Sequence, residues 1–92
     1  MAMRIWKLPV PIDDQLAIPM PHGAQLLTVQ IQHGEPMIWI RCEDDPQIAG
    51  RIHRKLAWVG TGHDCTGCGA YVGTVQLEGG SLVFHLFDKG EI

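Results

Sequence analysis

Charge is scarce in this 92-residue chain: 18% of the residues are Asp, Glu, Lys or Arg, and aromatic residues make up only 7%. Seven Lys and Arg against ten Asp and Glu leave a formal charge of -3. A chain so poor in basic residues has no field with which to hold a phosphate backbone, so long DNA or RNA is not an expected partner. No apolar run approaches the length that crosses a bilayer, and the first residues lack the basic-then-apolar plan of a signal peptide. A cytoplasmic protein without a membrane partner is expected. Three cysteines, an odd number, do not fit a secreted disulfide framework and suit a reducing compartment. Apolar residues at helical spacing never persist over several turns, and no low-complexity segment interrupts the chain. Also missing are a defensible Ser-His-Asp or Cys-His pairing, a glycine-rich phosphate loop leading into a helix, and a carboxylate pair on strong strands. An enzyme is therefore not expected.

What the chain has is apolar content, 46% of residues, and the alternation that places it. At this length one domain spanning residues 1–92 is expected, and it removes only about two-thirds of its unfolded surface from water. Association into a homo-oligomer would add to that. The strongest pattern is internal. Gly23-Ala24, Thr28-Val29-Gln30-Ile31, Gly34 and Ile38-Trp39-Ile40 return as Gly69-Ala70, Thr74-Val75-Gln76-Leu77, Gly80 and Phe84-His85-Leu86, with six identities in one ungapped frame. Two related hairpins are the natural reading, because alternation alone does not require Thr-Val-Gln or Gly-Ala in register.

Further strands are expected at Arg4–Leu8, peripheral because Pro9 and Pro11 bound it, at Gln15–Ile18, and at Ile52–Trp58. Met37–Cys42 is apolar on both faces, which suits a central strand or a contact surface. The fold class is all-β: a single small antiparallel meander closing as a β-sandwich or partly open barrel of six to seven strands. A short helical turn is allowed in the 43–50 loop. The basic cluster Arg51, His53, Arg54 and Lys55 reads as the charged decoration of an edge strand, or as a phosphate contact.

The chemistry-bearing residues are few. His63-Asp64-Cys65-Thr66-Gly67-Cys68 carries a Cys-x-x-Cys pair whose thiolates reach one tetrahedral metal, with His63 as a third ligand. The fourth ligand of such a zinc site would come from Cys42, His53 or His85. The same segment also reads as an ordinary loop with two unpaired thiols. Thr61-Gly62-His63 follows a strand end, where glycines let amide donors approach an anion. With Arg54 and with Trp39 or Trp58 it would form a pocket for a small anionic or nucleotide-like ligand. Trp39 and His85 hold matching places in the two hairpins, suited to stacking or to an interface.

In order and approximate spacing, Ile5-Trp6-Lys7, Gly23-Ala24 with Leu27, Val29, Gln30 and Gln32, Thr61-Gly62-His63, Tyr71 with Gly73-Thr74 and Gln76, and Phe84-His85 cover nearly the whole chain. In these motifs the chain resembles a family of short phage- and prophage-encoded proteins of unknown function. The resemblance implies an accessory protein acting by stoichiometric binding in the host cytoplasm. It would sequester a small ligand or block a host protein, as counter-defence. No active site comes with it, and Met3 becomes a candidate natural start. Between His63 and Tyr71 the chain departs from the family pattern, so any metal chemistry there belongs to this member. The competing expectation is a small structural zinc module using His63, Cys65 and Cys68.

Overall fold

The computed structural model describes residues 2–43 and 51–91; the helical turn allowed in the 43–50 loop falls, past Glu43, outside them. Seven strands follow in order: β1 (Met3–Pro9), β2 (Gln15–Pro21), β3 (Gln25–Gln32), β4 (Glu35–Glu43), β5 (Arg51–Gly60), β6 (Ala70–Leu77) and β7 (Leu82–Glu91), with one 3-10 turn at Glu78–Gly80. They form two antiparallel sheets, β1-β4-β3 and β2-β5-β7-β6, in a sandwich-like arrangement with no closed barrel. The connectivity is not the expected meander. β1 leads into β2 of the other sheet, and β5 pairs with β7, which leaves β6 as an edge.

Alternation places the core as the sequence suggests. Ile38, Ile40 and Cys42 on β4 turn inward to meet Val29, Leu56, Trp58, Val75 and Leu86, all buried. Burying each large aliphatic side chain contributes on the order of 1.5–3 kcal/mol. β4 is the central strand of its sheet and β1 an edge, both as expected. Two expectations change. β5 is interior, flanked by β2 and β7, so its basic residues do not dress an edge, and Arg54 is buried, only 8% exposed. β2 runs on to Pro21 beyond the expected end at Ile18; as the outermost strand it tolerates Pro19 and Pro21, whose missing N–H groups no further strand requires.

The two hairpins are geometrically equivalent. Thr28, Val29, Gln30 and Ile31 lie opposite Trp39, Ile38, Met37 and Pro36. Thr74, Val75, Gln76 and Leu77 lie opposite His85, Phe84, Val83 and Leu82, in the frame of the sequence repeat. The first turn places two consecutive left-handed residues at its tip, His33-Gly34, the backbone that fits the twist of a tight hairpin; the second has three, Glu78, Gly79 and Gly80, within a longer loop. Each outer strand also bulges, at Leu27 in β3 and one aligned place earlier, at Val72, in β6.

The equivalence extends to a third strand that the sequence did not reveal. Trp6 of β1 lies opposite Ile40, and Trp58 of β5 lies opposite Leu86, so the two tryptophans are counterparts. Each unit has its hairpin's second strand in the middle. The equivalent strands β3 and β6 lie against each other where the units meet. There Gly73 sits so close to Val29 that a side-chain carbon on it would come within 2.8 Å of Val29 Cγ1.

Candidate functional site

Three places gather polar or reactive side chains, and one sheet face gathers exposed apolar ones. The first is a buried charge cluster. Because β5 alternates Ile52, Arg54, Leu56 and Trp58 inward, Arg54 enters the interior with its guanidinium. Nη1 donates to Asp88 Oδ2 at 2.7 Å, and Nη2 donates to the Ala24 carbonyl with Glu91 Oε2 at 3.7 Å. Its Nε is buried without a partner. Glu91 also accepts the Gly23 amide at 2.6 Å and lies 2.8 Å from His22 Nδ1. The Gly23 N–H is the main reason its carboxyl titrates below the ordinary glutamate range, with His22 and Arg54 adding to it against partial desolvation.

The second is a hydrogen-bonded chain on the outer face of the four-stranded sheet. Tyr71 OH meets Thr74 Oγ1 at 2.6 Å, Thr74 Oγ1 meets His85 Nδ1 at 2.9 Å, and His85 Nε2 meets Thr61 Oγ1 at 2.9 Å. The bulge at Val72 is what turns both Tyr71 and Thr74 to this face. The chain ties β6, β7 and the 61–69 loop together.

The third is that loop. The His63 amide donates to the Gly60 carbonyl, and the His63 ring packs over Gly60, 3.0 Å from where a side-chain carbon would stand. Asp64 Oδ1 accepts from both the amide and the hydroxyl of Thr66, and those two bonds hold its carboxyl below the ordinary aspartate range. The Cys68 amide closes a turn onto the Cys65 carbonyl at 3.2 Å. Desolvation, then a hydrogen bond and like charge from Cys65, push the Cys68 thiol up. The loop walls an open groove of about 260 Å³ together with Asp14, Gln15, Trp58 and Lys89.

The residues expected to form one anion pocket are therefore dispersed. Thr61, Gly62 and His63 stand together in the loop, and His63 and Trp58 border the same groove. Trp58, however, is buried, and its indole N–H donates to the Pro11 carbonyl at 3.0 Å. Arg54 is engaged by Asp88 and Ala24 near the other end of β5. Trp39 lies on the outer face of the other sheet, between Lys7 and Thr28. For the expected zinc site, Cys65 and Cys68 stand at the two ends of one turn, but no group of three or more His, Cys, Asp or Glu suited to a metal forms among the described residues. His63, the expected third ligand, borders the same groove as the two thiols.

Sequence reasoning missed two features. The sequence marks His85 by its position, but its link through Thr74 to Tyr71 depends on a bulge that alternation hides. The outer face of β1-β4-β3 was also missed as a unit. Ile5 lies opposite Arg41, Lys7 opposite Trp39 and Pro9 opposite Met37, with Met3 and Ile5 51% and 57% exposed. Lys7 Nζ bridges over the face to Gln32 Oε1 at 2.6 Å.

Fold and surfaces together define a small two-sheet antiparallel β domain. The chain belongs to the family of the domain of unknown function DUF7352, whose model matches residues 1–91. No curated protein and no solved structure matches it.

Proposed function

We propose that the protein is a non-enzymatic binding protein, a phage- or prophage-encoded accessory factor that holds a host protein stoichiometrically in the host cytoplasm. The partner docks on the outer face of β1-β4-β3. One observation carries this reading: the exposure of Met3 and Ile5 beside Met37, Trp39 and Arg41 on a single sheet face. The uncovered side of an antiparallel sheet normally carries polar side chains, so exposed apolar side chains there are a sign of a contact surface. Trp, Met and Arg are also the residue types enriched at the centres of protein–protein contacts. Gln25, Thr28 and Gln30 on β3 furnish a polar rim. A partner with an apolar surface and a carboxylate for Arg41 fits this face.

The small-ligand reading is weaker because Arg54, its cation, is already held by Asp88 and Ala24. A photoreactive residue in place of Met3 should capture one host protein, and adding Ile5→Lys should abolish the capture while circular dichroism and melting stay unchanged. Equal capture from Ala17, exposed on β2 of the other sheet, would defeat the proposal. So would capture of nothing but a second copy, which would assign the face to a homodimer.

A further inference from the structure

We infer that Cys65 and Cys68 form a reversible dithiol–disulfide site that reacts with low-molecular-weight disulfides of the glutathione type. The inference is independent of the binding face. The two cysteines are the ends of a four-residue turn closed by the Cys68 amide on the Cys65 carbonyl at 3.2 Å, with Gly67 in the left-handed conformation that such a turn needs. A turn of this kind holds its end residues within the span that a disulfide bridges, and the Cys65 side chain is close enough to raise the Cys68 thiol.

The loop is fixed on both sides of the pair. Asp64 takes two hydrogen bonds from Thr66, and Gly69 lies so tightly on the Asp88 carbonyl that a side-chain carbon would stand 2.3 Å from its oxygen. The thiols are thus presented by a shaped backbone at the mouth of a groove that also holds His63 and Lys89. The third cysteine, Cys42, is buried in the core.

Accessibility assigns the roles. Cys65 is exposed and Cys68 half-buried, so Cys65 makes the first attack. Its thiolate takes one sulfur of the external disulfide; the external S–S bond breaks, and one small thiolate departs and picks up a proton. The Cys68 thiolate then attacks Cys65 Sγ and expels the second small thiolate, which is protonated in turn. Two protein thiols are oxidised to one disulfide, one external disulfide is reduced to two thiols, and the two protein protons end on the two products.

The full chain, equilibrated with mixtures of reduced and oxidised glutathione, quenched by alkylation and read by intact and peptide mass, tests this. The wild type should pass to a Cys65–Cys68 disulfide without a lasting adduct, and excess reduced glutathione should restore both thiols. Cys68→Ser should stop at one glutathione adduct on Cys65. Cys65→Ser should react about tenfold more slowly, because thiol exchange follows access and thiolate content. Cys42 should stay reduced throughout. Stable adducts on both loop cysteines of the wild type, first attack at Cys68, or a stoichiometric zinc ion on these thiols in the protein as isolated would each overturn the inference.

Discussion

Removing Asp88 should destabilise the protein more than removing the arginine it faces. Asp88→Ala leaves the Arg54 guanidinium in the interior with the Ala24 carbonyl and with Glu91 at 3.7 Å as its remaining partners. Breaking a buried pair from one side costs about 3–5 kcal/mol, and Glu91 offsets part of that, so a loss of about 3 kcal/mol is expected. Arg54→Met removes the charge together with its unpartnered Nε. Its cost comes chiefly from the Ala24 carbonyl, which loses a donor, about 1–2 kcal/mol. Asp88, by contrast, still accepts the Gly90 amide at 2.8 Å and reaches water. The double variant should cost about 2 kcal/mol, well short of the sum, because Asp88 matters mainly while the cation is present. A coupling of about 2 kcal/mol is the quantity to measure, by urea unfolding with unchanged slopes across the cycle. These are large losses for a domain whose total stability is roughly 5–14 kcal/mol at this length. An Asp88→Ala loss below about 1 kcal/mol, or additive losses, would refute the reasoning from a desolvated ion pair.

Two more predictions concern the same end of the molecule. Gly23 and Gly69 hold equivalent places with positive φ, but only Gly69 is crowded, by the Asp88 carbonyl. Gly23→Ala should cost about 1–2 kcal/mol for its conformation alone, and Gly69→Ala clearly more, with equal losses in denaturant titrations counting against the described packing. Glu91 titrates below its ordinary range because Gly23, His22 and Arg54 favour the carboxylate. A lowered folded-state value contributes stability above the unfolded pKa and loses it as pH falls through the folded one. Melting temperature should therefore decline on acidification below the ordinary glutamate range, and Glu91→Gln should flatten that decline.

Much of the fold was legible because strand faces are written in alternate residues. Val29 and Ile31 against Thr28, Gln30 and Gln32 follow the alternation of β3, although the bulge at Leu27 leaves that side chain 42% exposed where alternation puts it beside Val29, and the repeat frame matched the pairing of both hairpins. The third strand of each unit was not legible: Met3–Pro9 and Arg51–Gly60 align by pairing with an identity only at Trp6 and Trp58, too little to notice. By sequence Arg54 belongs to a basic run that looks like the charged decoration of an edge strand or a phosphate contact. Nothing in the run itself announces Asp88 and Ala24 as interior partners, both of them distant in sequence. The site suffered most from such long-range effects. Thr61, Gly62 and His63 are neighbours along the chain and remain so in space. Trp39 and Arg54 match them only by residue type, and the sheet order sends each to a different face.

Native mass spectrometry of the protein isolated, without chelator, from the cell that encodes it is the most direct test of a protein partner on the outer face of β1-β4-β3. The account predicts a complex of fixed stoichiometry whose extra mass is that of a polypeptide, and its loss in the Ile5→Lys variant. A chain whose only excess mass is that of a nucleotide or of zinc, unaffected by Ile5→Lys, would contradict it.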